Sequence, residues 1–184
     1  MRNILFVLLA YTTYLSAITF NNLPVTLNSN GLKVGDDAPR FYAVDIEFQE
    51  VEIGGKKDKV QIIAFIPSLD TGTCRLEAVA FNNKIATMKN VNLTIVSKDL
   101  PFSQAKFCRD NSITNIQTVS DYKDDNHVLR YGVTISAPQF LEGLFGRVIY
   151  IVDTKGKIAY VQKVEEISLE PNYDEVLKAL KTID

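Results

Sequence analysis

The chain has 184 residues, of which 46% are hydrophobic, 23% charged and 10% aromatic. That apolar content offsets ordering entropy and excludes disorder over most of the length, while 9 Gly, 6 Pro and no sustained heptads exclude collagen-like and coiled-coil architectures. The 20 basic and 22 acidic residues leave a net charge of -2, so nothing electrostatic points to nucleic acid as a partner. The length suits one domain with a real core.

Residues 1–17 read as a secretory signal peptide. Arg2 supplies the positive start, Ile4 to Ala10 form an unbroken apolar run, and Ser16-Ala17 are small enough for cleavage. The run falls well short of the roughly 20 residues a bilayer-spanning helix needs. The alternative is a buried N-terminal helix or strand of the fold. On the first reading residues 18–184 form the mature domain, periplasmic or otherwise exported and without a membrane attachment; the alternative location is cytoplasmic. An exported chain meets an oxidising compartment, where two cysteines can form a purely structural disulfide.

Ile18 to Phe20 and Val25 to Leu27 flank the turn pair Asn21-Asn22 and predict a β-hairpin. Gly35 to Pro39 is a loop. Short strands are expected at Phe41 to Val44 and around Val51 and Ile53. Val60 to Ile66 is almost continuously apolar, the pattern of a strand buried on both faces of an α/β sheet, and Pro67 ends it. Cys74, Ala78, Phe81, Ile85 and Met88 then recur at helical spacing, with Cys74 in the first turn. Val91 to Val96 is the next strand, Pro101 opens a helix over Phe102 to Cys108, Ile116 to Val119 is a strand, and Val128 to Tyr131 lies on a helix. Val148 to Val152 and Lys157 to Val161 form a hairpin around Asp153 to Gly156. Asn172 and Glu175 resemble a capping box for a last helix buried through Tyr173, Val176, Leu177 and Leu180. Strands alternating with helices, closed by a hairpin, predict an α/β three-layer sandwich with a mixed β-sheet.

The chemistry is concentrated around the two cysteines. At a helix N-terminus, free N–H groups and the positive end of the helix dipole favour a thiolate, the nucleophilic form of sulfur. Thr71 lies one turn upstream, where its hydroxyl can serve sulfur or an incoming oxygen, and Pro67 can shield and fix the loop. Pro67-Ser68-Leu69-Asp70-Thr71-Gly72-Thr73-Cys74 is thus a coherent site for an activated sulfur. The alternative is that Cys74 is simply a small buried apolar residue. The single His127 reads as solvated, and no C-x-x-C or metal-spaced cluster is present.

Phe65 to Cys74 (F-I-P-S-L-D-T-G-T-C) resembles the peroxidatic motif of bacterial thiol peroxidases, an atypical two-cysteine class of peroxiredoxin. Ser97 to Cys108 (S-K-D-L-P-F-S-Q-A-K-F-C) resembles the segment carrying that family's resolving cysteine, and the spacing of the cysteines matches. Val34 to Phe41, Tyr131 to Val133, Gly143 to Asp153 and Glu166 to Asp174 follow in family order, so the resemblance covers about Ile18 to Lys181. It implies a thioredoxin-like fold with an added N-terminal β-hairpin. It implies Cys74 as peroxidatic cysteine, Thr71 and Pro67 in its pocket, Arg147 as active-site arginine, and Cys108 as resolving cysteine. It further implies a Cys74–Cys108 disulfide in the catalytic cycle, hydrogen peroxide and alkyl hydroperoxides as substrates, a thioredoxin-like dithiol reductant, a homodimer, and no cofactor. Lys106, Gly146 and Val148 depart from commoner family residues without touching nucleophile or guanidinium. Phe102, Phe107, Phe140, Leu141 and Phe145 are candidates for an apolar collar admitting alkyl hydroperoxides, with ordinary core packing as the alternative. Against the peroxidase stands an exported, non-enzymatic α/β domain whose disulfide is only a staple. A disulfide-exchange protein is weakened by the missing C-x-x-C.

Overall fold

The computed structural model describes residues 18–123 and 126–183; the signal-peptide reading of residues 1–17 lies outside them. The chain opens with β1 (Thr19–Phe20), β2 (Leu23–Pro24) and β3 (Thr26–Leu27), followed by β4 (Phe41–Asp45), β5 (Glu50–Ile53) and β6 (Val60–Phe65). Helix α1 (Gly72–Ile85) leads to β7 (Val91–Ser97), α2 (Pro101–Asp110) and β8 (Gln117–Ser120). A short 3-10 helix (Val128–Tyr131), β9 (Ile135–Ala137), β10 (Val148–Val152), β11 (Ile158–Lys163) and α3 (Tyr173–Leu180) complete it.

The main sheet runs β11-β10-β6-β7-β8-β4-β5. Strands β6, β7 and β8 are parallel, and β10, β11, β4 and β5 join antiparallel, so the sheet is mixed as expected. The apolar run of β6 is explained by its interior position, with paired neighbours on both edges. Its side chains alternate between two cores. Ile62 and Ala64 face a core built with Cys74, Ala78 and Phe81 of α1, Phe107 and Cys108 of α2, and Val176 of α3. Ile63 and Phe65 face the other core, where Phe65 meets the rings of Phe41, Tyr131, Phe145 and Tyr150. All three α-helices serve the first face. The second is covered by the 3-10 helix and loop segments, so the helix expected at Val128 to Tyr131 is only four residues long. It stops at Gly132, whose φ of +65° suits glycine and whose added Cβ would lie 2.3 Å from the Cα of Gly31.

The N-terminal hairpin forms, with a correction to its second strand. Asn21 and Asn22 both adopt positive φ, the geometry of a tight hairpin turn, and β1 therefore pairs with Leu23–Pro24. The Val25 to Leu27 stretch instead sends β3 to pair with β9, a strand the residue pattern did not announce. A two-residue turn leaves no room for the longer loop, and Val25 is buried against Ile135 and Ile167.

The hairpin is tied to the segment after β11 through Glu166. Its carboxyl group accepts from Asn21 N at 2.9 Å, Asn22 N at 3.1 Å, Thr19 Oγ1 at 2.8 Å and Ser168 N at 3.0 Å. Desolvation would raise its pKa, but the bonds from Ser168, Asn22 and Asn21 outweigh it and hold the carboxyl down at about 2. A lowered folded-state pKa contributes stability that is present above the ordinary glutamate range and lost as pH falls towards 2. Glu166→Gln is therefore expected to lower the melting temperature at pH 7 and to shrink the loss of stability between pH 5 and pH 2.5. Thermal melts of both proteins across that range check it.

Candidate active site

The site forms where β6 ends. The pairing Val148↔Phe65 continues backwards to set Arg147 beside the start of the loop that follows β6, the loop that leads to Cys74. Such loops beyond the carboxyl ends of parallel strands are where open α/β sheets place ligands. Pro67 is buried at the start of this loop. Thr71 is the N-cap of α1: its Oγ1 accepts from Cys74 N at 3.4 Å and donates to Ser68 O at 3.0 Å. In this arrangement the hydroxyl donates to Ser68 O, and Thr71 serves Cys74 through its amide rather than its sulfur.

Cys74 is fully buried, and Arg147 Nη2 donates to its Sγ at 3.4 Å. The same guanidinium has three further attachments. Nε and Nη2 donate to Ile167 O at 3.0 and 2.9 Å, and Nη1 forms a buried ion pair with Glu77 Oε2. Burial works against the charge on Arg147, but Glu77 and Cys74 outweigh it and its pKa is raised. The planar fork is thereby fixed with one edge on sulfur. Ile167 is presented by the segment that Glu166 and the hairpin hold, and Thr73 Oγ1 donates to Ser168 O at 2.9 Å from the α1 side.

Thr71, Cys74 and Arg147 are thus brought together, with Pro67 buried at the start of the same loop. Cys108 is not in that contact set. It is buried in α2, with Sγ 3.3 Å from Thr118 Oγ1, and it borders an open cavity of about 610 Å³ also lined by Thr94, Asn115 and Thr118. Burial pushes the Cys108 thiol up, and the Thr118 bond opposes this. Both cysteines are free. Of the collar candidates, Phe107 packs in the same core as both cysteines, Leu141 packs against Val25, Ile135 and Ile167, Phe145 lies in the core on the opposite face of the sheet, and Phe102 and Phe140 are 70% and 64% exposed. Among the described residues no group of three or more His, Cys, Asp or Glu could hold a metal ion, and no helix is long and apolar enough to cross a membrane.

Two members of the site escaped the residue pattern. Glu77 lies on the same buried stripe as Cys74, Ala78 and Phe81, so a carboxylate at an apolar helical position was the available signal. The Ile167 carbonyl left none, because a backbone acceptor is independent of residue type.

Comparison with known proteins gives the same picture from outside. Residues 34–161 match the AhpC/TSA family. A thiol peroxidase of Aquifex aeolicus is 46% identical over 160 residues, covering 87% of this chain and 94% of that protein. A thiol peroxidase of Bacillus subtilis is 37% identical over 169 residues, covering 92% and 99%. Among solved structures, a peroxiredoxin-like protein from Aquifex aeolicus superimposes with a TM-score of 0.86 at 44% identity, covering 90% of this chain and 96% of that one.

The Glu77 carboxyl should titrate visibly. Burial is its largest influence and pushes it up to about 7, against the pull of Arg147, and its Oε1 has no hydrogen-bond partner. A raised folded-state pKa gives stability that is complete below the ordinary glutamate range and is lost as pH rises through about 7. Wild-type protein is expected to lose stability between pH 5 and pH 8, and Glu77→Gln to lack that component. Urea unfolding at the two pH values measures the difference.

Proposed function

We propose that in this chain, which belongs to the AhpC/TSA family and is a peroxiredoxin enzyme, Cys74 is the sulfur that peroxide oxidises and Cys108 the sulfur that rescues it. The chain is a thiol-dependent peroxidase; its substrates are peroxides and a thiol reductant. Membership of the family sets aside the non-enzymatic reading. The observation that carries the two roles is the charged Arg147 Nη2 donor 3.4 Å from Cys74 Sγ, whereas among the described residues Cys108 Sγ meets the neutral Thr118 hydroxyl.

Cys74 attacks the terminal peroxide oxygen as a thiolate. An S–O bond forms as the O–O bond breaks, and the electron pair departs on the second oxygen, which takes a proton and leaves as water or an alcohol. Arg147 holds the sulfur and offers charge-assisted donors to the departing oxygen. Thr71 fixes the first turn of α1, and Pro67 walls the loop. The product is a sulfenic acid. Cys108 then attacks that sulfur, an S–S bond forms, and the hydroxyl leaves as water with the proton of Cys108. A thioredoxin-like dithiol reduces the disulfide by exchange and is itself oxidised. Hydrogen peroxide and alkyl hydroperoxides are the substrates in this reading, and the working unit is a homodimer. A disulfide needs Cα atoms within about 7 Å in a fixed geometry. Cys74 and Cys108 are unpaired and sit on separate helices, so in this reading the first turn of α1 and the end of α2 shift to bring the sulfurs together.

Peroxide consumption with a dithiol reductant tests the roles. Cys74→Ser is expected to lose about a thousandfold or more, and Arg147→Gln about a hundredfold. Cys108→Ser should complete one turnover and hold a sulfenic acid detectable by mass spectrometry. Wild-type consumption by Cys74→Ser overturns the assignment.

Export is part of the same proposal. Its support is the pattern of residues 1–17: the positive Arg2, the apolar run Ile4 to Ala10 and the small pair Ser16-Ala17. The expected mature protein begins at Ile18 and appears outside the cytoplasm; N-terminal sequencing of fractionated cells that returns Met1 in the cytoplasm excludes it.

A further inference from the structure

One carboxyl group joins the two cysteine-bearing segments. Asp99 stands in the loop between β7 and α2. Its Oδ1 accepts from Ser68 Oγ at 2.7 Å, and its Oδ2 accepts from Leu69 N at 2.7 Å and Ser97 Oγ at 2.8 Å. Ser68 and Leu69 belong to the Cys74 loop. Ser68 O takes the Thr71 hydroxyl at 3.0 Å, and that hydroxyl takes Cys74 N at 3.4 Å. On the other side Ser97 Oγ accepts at 3.0 Å from Nε2 of Gln104, a buried residue of α2 that lies one turn before Cys108 on the same face. Gln104 Nε2 also reaches Val119 O at 2.9 Å. A continuous run of hydrogen bonds therefore leads from the Cys74 amide through Thr71, Ser68, Asp99 and Ser97 to Gln104.

We propose that Asp99 is a positioning residue that makes the Cys74 loop and the Cys108 helix open together, an inference that rests on the reading that these two cysteines must meet. If one segment moves alone, the bonds of Asp99 break on that side and leave partners desolvated and unpaired on the other. If both move, all of them exchange to water at once. The closed state favours the first reaction, because it holds the capped Cys74 against Arg147. The open state favours resolution. The sulfenic acid has two fates between them. Cys108 displaces its hydroxyl as water and forms the disulfide, or a second peroxide transfers an oxygen to give sulfinic acid and is itself reduced to water or alcohol. Asp99 sets which fate is faster.

Hydrogen exchange on the reduced, full-length protein tests the coupling without any turnover. Ser68→Ala removes the side-chain bond on the Cys74 side and leaves Leu69 N as the remaining tie, Gln104→Leu cuts the network on the α2 side, and Asp99→Asn replaces an acceptor with an amide that meets three donors. Each variant is expected to raise exchange about tenfold in both peptides, residues 66–76 and 97–110. Loosening confined to the mutated side in Ser68→Ala and Gln104→Leu overturns the proposal. A peroxide pulse then reads the consequence: Asp99→Asn should oxidise Cys74 more slowly yet give a several-fold smaller sulfinic fraction. A purely structural lesion would not move that partition, and an unchanged or larger sulfinic fraction also overturns the proposal. Wild-type protein in which Cys74 takes up no oxygen refutes the peroxidase roles instead, and the exchange result stands apart from it.

Discussion

Arg147 carries a full charge with almost no exposure, and the site depends on how that charge is accommodated. Guanidinium burial is costly unless its donors are matched in direction as well as in number. Here the matches come from three parts of the chain: Glu77 and Cys74 on α1, and the Ile167 carbonyl on the segment after β11. None of these can shift without leaving Arg147 short of a partner. The cation is therefore both the group that contacts the Cys74 sulfur and the junction that locks α1 to the sheet. Glu77 supplies the countercharge, and its unpartnered oxygen is the residual cost of placing it there.

That locking conflicts with the resolution step proposed above. A sulfur buried under a helix cap and held by Arg147 is poorly placed to meet a second cysteine in another helix. The two cores show how the conflict is contained. The aromatic core around Phe65 on one face of the sheet involves neither cysteine, whereas both cysteines sit in the helix-side core. Strand pairing across β10, β6 and β7 and the aromatic face can persist while the ends of α1 and α2 rearrange. The Asp99 network joins the Cys74 loop to the helix that carries Cys108, the two segments that the proposed cycle rearranges.

Much of this was legible in the residues. The strands and helices followed from apolar periodicity, and Asn172 does cap α3 by accepting from Glu175 N. The cysteine motif and Arg147 were legible through the resemblance, and the structure sets Arg147 against Cys74. Val128 to Tyr131 is helical as read, in the form of a single 3-10 turn closed by Gly132. What was misread has specific causes. Val25 to Leu27 alternates like a hairpin strand, but the two-residue Asn21-Asn22 turn starts the return strand at Leu23 and pairs Leu23–Pro24 instead. The phenylalanines suggested a collar because aromatic residues near a motif say nothing about which face of a sheet they join.

The sequence by itself determined the local facts: a buried central strand, a helix with cysteine in its first turn, a threonine able to cap it, and an arginine in a matching motif. These depend on neighbours within a few residues, where spacing along the chain is also spacing in space. Only the tertiary structure decided which groups share the guanidinium, why Glu77 is pushed towards neutrality, and how Asp99 joins two segments thirty residues apart. Those are contacts between distant parts of the chain, set by strand register and by which donors find acceptors when water is excluded.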